Sequence, residues 1–221
     1  MRLFHGTTEA IAKRSLTDGL KPRMLTNKKT NWKINPSRKD MIYLSETYAP
    51  YFAVVASAAS RSKIGLIEIN VDSLDKDNLF PDEDFLEQAS KGDQFGLSRD
   101  MSERTLWFRD NLESFQHHWI DSFDKLGNVC YKGIIDRTKI KKVIIYNYEK
   151  NIEIGRKMVD PSISIVNHCI CGEKYRKLTQ WLFGEEVKVE EIFDMYEIMP
   201  DDMKEQAKRI FENREGIEIL K

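Results

Sequence analysis

An imidazole, a glycine and two hydroxyls stand side by side in Leu3-Phe4-His5-Gly6-Thr7-Thr8. Leu3 and Phe4 read as the end of a short buried strand. His5 then falls at a strand-to-turn junction, where a polar side chain can face a cleft; a lone histidine there suits a purely structural role equally well. Gly6 gives room for a sharp turn or the close approach of a ligand. A second stretch carries charge. From Ile11 to Lys39, nine basic residues (Lys13, Arg14, Lys21, Arg23, Lys28, Lys29, Lys33, Arg38 and Lys39) face one acidic residue, Asp18, with Trp32 among them. Alone, such a run is a solvated face; beside a candidate site it is suited to phosphates. Metal chemistry finds no ligand set. Cys169-Ile170-Cys171 is one residue short of CxxC, and His168 adjoins it without an evident fourth ligand. His117 and His118, followed by Asp121, would point about 100° apart on a helix, which does not suit one ion. No Walker loop or GxGxxG fingerprint is present.

The elements that must hold these groups follow from patterning. Thr8 caps a helix over residues 8–18, which has an acidic first turn at Glu9 and closes at Asp18-Gly19. Lys21 to Asp40 reads as a long loop of the kind that often covers a site. Met41-Ile42-Tyr43-Leu44 is a short strand, and a helix rich in alanine (Ala49, Ala53, Ala56, Ala59) runs from Thr47 or Pro50 to about Ser60. Ile64 to Val71 is a strand, Asp72 to Asp84 is turn-like and acidic, and residues 90–103 form a polar loop. Thr105 to Ile120 reads as helical. Gly127 to Gly133 is a strand entering a turn, and Ile140 to Tyr146 is the strongest strand pattern in the chain. After Pro161 helical spacing takes over, at Tyr175–Phe183, Val189–Tyr196 and Met203–Phe211. From Glu173 to Lys221, thirteen acidic residues outnumber nine basic ones. The expected fold is α+β (mixed α/β), with residues 1–155 as the main domain and 156–221 as a helical C-terminal region. The acidic helices suit a solvated cap first, and a docking surface for a chaperone or similar partner second.

Bulk properties bound the class. The chain has 221 residues, 41% hydrophobic and 32% charged, with a net charge of −1. It is long enough for a real core, and its overall balance favours neither nucleic acid nor an acidic partner. No apolar run reaches the roughly 18 residues that span a membrane, and no signal-peptide pattern opens the chain. Three cysteines, an odd number, fit a reducing, cytoplasmic setting.

Three segments in order carry a resemblance: His5-Gly6-Thr7; Ile42-Tyr43-Leu44-Ser45 with Ala49, Tyr51, Phe52 and Ala53; and Gly127-Asn128-Val129-Cys130-Tyr131-Lys132-Gly133-Ile134-Ile135. Together they resemble the ADP-ribosyltransferase superfamily, in its diphtheria-toxin and poly(ADP-ribose)-polymerase branch, over roughly residues 1–150. Leu66 to Leu74 and Leu79 to Asp84 resemble the central strand and acidic turn of small bacterial and phage-defence members. The resemblance implies a split β-sheet core and NAD as co-substrate. His5 would bind the ribose, Gly6 and Thr7 the nicotinamide amide, and Tyr43 and Tyr51 would sandwich the ring, with Tyr48 competing for the second place. Ser45 would sit beside them at the strand end.

The branch's His-Tyr-Glu constellation places its glutamate five residues before a glycine, and here that position is Asn128. Three readings stay open. Asn128 binds as an amide; or a carboxylate such as Asp121, Asp124 or Glu103 reaches the site; or the position carries an inactivating Glu→Asn change, or the protein is a binder with no activity. An amide binds ribose but carries no charge, which would cost on the order of 10²–10³ in rate. The expected site is thus His5, Tyr43 and Asn128 for chemistry, with His5, Gly6, Thr7, Tyr43, Ser45 and Tyr51 around NAD. Basic residues interleaved with aromatics, at Lys28, Lys29, Trp32 and Lys33 and again at Arg99 and Arg104 near Trp107 and Phe108, favour a nucleic-acid acceptor. The resemblance implies a transferase acting as a toxin or antiviral defence effector, with an antitoxin among its partners. The alternatives are a protein-modifying transferase, an RNA 2′-phosphotransferase and a non-catalytic NAD or nucleic-acid binding module.

Overall fold

The computed structural model describes residues 1–26, 29–30, 36–57, 63–90, 96–147, 168–192 and 196–220, with the side chains of 90, 168–172 and 174 set aside. Seven strands form one antiparallel sheet: β1 (Leu3–Thr8), β2 (Met41–Ser45), β3 (Ile64–Ile69), β4 (Leu79–Pro81), β5 (Asn128–Lys132), β6 (Ile140–Tyr146) and β7 (Ile217–Leu220). Their order across the sheet is β4-β5-β2-β1-β3-β6-β7. The fold is mixed α/β, as the patterning predicts.

The sheet is nearly two sheets. β1 pairs with β3 over six residues, and β2 pairs with β5 over five. β1 and β2 share a single pair, Phe4 with Ser45. Past that point the strands part, and the side chains of His5 and Tyr43 lie where they separate.

Alternation on the strands builds a core on each face. On one face Phe4, Ile64, Leu66, Ile144 and Tyr146 pack against Ala49 and Ala53 of α2 (Ala49–Ser57), and against Tyr175, Leu178 and Trp181 of a C-terminal helix (His168–Leu182). On the other face Leu3, Ile67, Ile69, Val143 and Ile145 pack with Ala12 of α1 (Glu9–Asp18). A third cluster, with Met41, Phe80, Phe85, Phe108 and Cys130, joins β2, β4 and β5 to α3 (Glu83–Ser90) and α4 (Met101–Asp110). Two further helices are α5 (Trp119–Leu126) and, with His168–Leu182 as α6, α7 (Asp201–Asn213). Among the described residues no helix is long and apolar enough to cross a membrane.

Local signals explain most boundaries. The Thr8 hydroxyl accepts from the Ile11 amide and starts α1, and Gly127 closes α5 in the left-handed conformation. Gly6 does let another backbone come close, and that backbone belongs to α2: a Cβ there would lie 1.9 Å from the Ala49 carbonyl oxygen.

Several expectations need correcting. The acidic stretch 72–84 holds the strand β4 and the first residues of α3. Helix α4 starts at Met101, and residues Leu112–His118 are wound as a 3-10 helix. Where a helix over Val189–Tyr196 is expected, Val189–Glu191 is a short 3-10 turn and Tyr196 opens another, and residues 193–195 lie outside the described residues. The C-terminal region is also not wholly helical, because β7 pairs with β6.

Candidate functional site

Where β1 and β2 part, a cleft of about 1030 Å³ opens, lined by His5, Gly6, Thr7, Tyr43, Tyr48, Tyr51 and Asn128 among others. Residues from three separate sequence segments therefore converge on one crevice. The His5 ring contacts the Tyr43 carbonyl through Nδ1 at 2.9 Å. A carbonyl can only accept, so Nδ1 carries the proton and the Nε2 lone pair belongs to the other edge of the ring. Tyr51 meets Tyr175 of α6 and Phe52, with ring centroids 5.8 and 5.7 Å apart. These rings form an aromatic wall, to which the C-terminal region contributes Tyr175.

Ser45 does not line the cleft. It is 1% exposed, and its hydroxyl accepts from the Thr47 and Tyr48 amides at 3.1 and 2.6 Å, organising the turn into α2.

The floor holds an unexpected group of acids. β4 ends at Pro81, and Asp82 and Glu83 follow, 6% and 8% exposed, both lining the cleft together with the exposed Asp84. The Tyr43 hydroxyl donates to Glu83 Oε1 at 2.7 Å and accepts from the Arg38 amide at 2.9 Å. Burial pushes the Glu83 carboxyl up to about 7, against the Tyr43 hydrogen bond, which favours the charged form. Burial and the neighbouring charges of Asp84 and Glu83 hold Asp82 well above the usual carboxylate range. Burial also raises the Tyr43 phenol, helped by the Glu83 charge.

Asn128 opens β5 beside them. Its side-chain amide lies close to Asp82 and partly offsets the upward shift of that carboxyl. Ser122 of α5 fixes both residues, accepting from the Asp82 amide at 3.0 Å and donating to the Asn128 carbonyl at 2.8 Å. The Asn128 side-chain oxygen is buried and without a hydrogen-bond partner among the described residues. A second buried atom in the cleft wall, Arg23 Nε, also lacks one, although the same guanidinium donates to the Ser37 carbonyl at 2.6 Å. Buried polar atoms are rarely left unpaired, and of the three such atoms among the described residues, Arg23 Nε and Asn128 Oδ1 belong to residues that line the cleft, while Arg176 Nε does not.

The other sequence candidates fall outside this arrangement. Asp121, Asp124 and Glu103 are exposed and do not line the cleft; Asp121 binds His118 at 3.0 Å. Arg104 corrects an expectation. Its guanidinium is held by Glu87 and by the Ser98 and Arg99 carbonyls, so it serves the fold rather than an open surface. Phe108 is 1% exposed and belongs to the core, and the half-buried Trp107 packs edge-on against it. Arg99 does not line the cleft, whereas Lys29 does, with Arg14, Lys21, Arg23 and Arg38. Lys28, Trp32 and Lys33 lie outside the described residues, as do the side chains of His168, Cys169 and Cys171.

Sequence reasoning missed Glu83 and Tyr175. No local signal singles out Glu83: of the three acids between the apolar Leu79-Phe80-Pro81 and Phe85-Leu86, Asp82 and Glu83 are buried and Asp84 is exposed.

No protein-family model matches the chain, and neither does any curated protein. Among solved structures it is similar to a chain called EcPltA, with 10% identity, 67% of this chain and 78% of that one covered, and a TM-score of 0.36. That is a distant likeness on which no functional argument rests.

Proposed function

We propose that the cleft binds NAD as a co-substrate and that the protein transfers its ADP-ribose unit to a macromolecular acceptor, nucleic acid by preference. The observation that carries this reading is the pairing, in one cleft, of an unpartnered buried cation donor at Arg23 with an unpartnered buried acceptor at Asn128, beside His5 and an aromatic wall. A dinucleotide offers what each lacks: phosphate oxygens for the basic side, hydroxyl or amide donors for Asn128, and flat rings for the tyrosines. The cleft volume also lies at the upper end of the roughly 300–1,000 Å³ of common ligand sites.

Arg14, Arg23 and Lys29 would face the phosphates, His5 a ribose hydroxyl, and Tyr43 and Tyr51 the nicotinamide. NAD bound there supplies an electrophilic anomeric carbon. The surrounding residues orient it and exclude water. The basic character of residues 11–39 favours an RNA or DNA acceptor over a protein side chain. A role as a toxin or defence effector, with an antitoxin or chaperone partner, follows the same reading.

The test is incubation with NAD labelled in its adenylate half and with RNA, DNA and protein offered separately. The expected result is label on nucleic acid, lost with His5→Ala. Absence of both NAD binding and label transfer defeats the reading. A second reading, a non-catalytic NAD-binding module, draws on the uncharged amide of Asn128; its signature is tight binding without turnover.

A further inference from the structure

Among the described residues, three glutamates are nine-tenths buried or more: Glu68, Glu83 and Glu87. Glu68 is bridged to Arg2 at 3.3 Å, and Glu87 is clasped by Arg104. Among the described residues Glu83 alone of the three has no ion pair; its Oε1 takes the Tyr43 hydroxyl, and its Oε2 has the Cys130 thiol at 3.9 Å. Its position does not need an acid for the helix, because Asp82 already receives the Asp84 amide at 2.9 Å in the first turn of α3. A buried carboxyl without a cation is costly to keep, and this one lines the cleft beside Tyr43 and Asn128.

We propose that Glu83 is the proton acceptor for the incoming nucleophile, supplied from the β4–α3 corner in place of a carboxylate on β5. The inference rests on the NAD-transfer reading. The lone pair of the acceptor atom X forms the X–C1′ bond as the C1′–N1 bond to nicotinamide breaks. The electron pair of that bond leaves with neutral nicotinamide. The X–H proton passes to the Glu83 carboxylate and then to solvent. With water as X the same step is NAD hydrolysis. The Tyr43 hydroxyl holds the receiving carboxylate in place, and Ser122 ties Asp82 and Asn128 together beside it. The groups that act on the Glu83 charge are Tyr43 on β2, Cys130 on β5, Asp82 and Asp84 at its own corner, and Arg109 on α4.

The experiment compares the full-length protein with Glu83→Gln and Glu83→Asp, reading NAD affinity by calorimetry and nicotinamide release across pH 5–9. The expected result for Glu83→Gln is a loss of about 10²–10⁴-fold in release with NAD affinity unchanged within about threefold. Wild-type release should rise with pH through an inflection near 7, which Glu83→Asp retains and Glu83→Gln lacks. Release by Glu83→Gln within about threefold of wild type, or an unaltered pH profile in it, overturns the role of Glu83 and leaves the NAD reading standing. Failure of the wild type to bind or consume NAD overturns both.

Discussion

Glu68 on β3 and Glu83 at the start of α3 are each 8% exposed, and the sheet treats them differently. In the β1-β3-β6-β7 half, Ile67, Ile69, Val143, Ile144 and Ile145 are all at most 1% exposed, and Glu68 is matched by Arg2. Arg2 also pairs with Glu185 and lies over the Phe4 ring, 5.1 Å from its centroid. In the β4-β5-β2 half, Tyr43, Asp82, Glu83, Asn128 and Cys130 crowd together with two carboxyls held far from their ordinary ionisation. One half satisfies its buried charge and supplies cohesion. The other keeps polar groups poised at a cost in stability, which is the usual mark of a working site.

The largest expected effect belongs to the cohesive half. Trp181 is 3% exposed, stacks on Phe211 at 5.3 Å and meets Tyr146 of β6 edge-on at 5.9 Å. Trp181→Ala should cost about 3–5 kcal/mol in urea unfolding. A cost below about 1 kcal/mol would show that stability does not reside there.

Next comes Glu83→Gln, read as stability instead of turnover. The native carboxyl titrates near 7 and the unfolded one near 4.5. Between those values the native state holds more protons than the unfolded state, so wild-type stability falls as pH rises from about 4.5 to about 7 and levels off above. A shift of that size corresponds to at most roughly 3 kcal/mol. The glutamine variant lacks this dependence. It should be the more stable protein at pH 8, with the gap closing by pH 4. Matched urea midpoints at the two pH values decide it, and a variant less stable at pH 8 would contradict the stored cost.

The two halves were also unequally legible. β6 spans seven residues, ending in the apolar run Val143-Ile144-Ile145-Tyr146, and its bounds, Ile140–Tyr146, are those its pattern predicts. His5, Gly6 and Thr7 stand out at the end of a short strand pattern, whereas Tyr43 and Tyr51 are singled out only through the resemblance of the ordered segments. Glu83 could not be found, since its partner Tyr43 lies forty residues away and acids in a first helical turn ordinarily face water. β7 was hidden for a related reason: four residues, Ile217–Leu220, gain their strand character from pairing with β6 and not from their own pattern. Arg104 misled in the opposite sense, because a basic residue beside aromatics reads as a binding surface until a buried Glu87 is found against it.

The smallest effect makes the comparison sharpest. Glu68→Gln removes a carboxylate from Arg2, whose side chain is 36% exposed and still pairs with Glu185. Water and Glu185 therefore take up most of what Arg2 loses, and the expected cost is about 1 kcal/mol. Glu68 does not line the cleft, so nicotinamide release should stay at the wild-type rate. The same chemical change, glutamate to glutamine at equal burial, is thus expected to act with opposite signs. On β3 it lowers stability and spares turnover; at the β4–α3 corner it raises stability at pH 8 and removes turnover. Urea midpoints and release rates measured on both variants at pH 8 test the pair together. If both variants moved the same way in either quantity, the division between a cohesive half-sheet and a chemical one would fail.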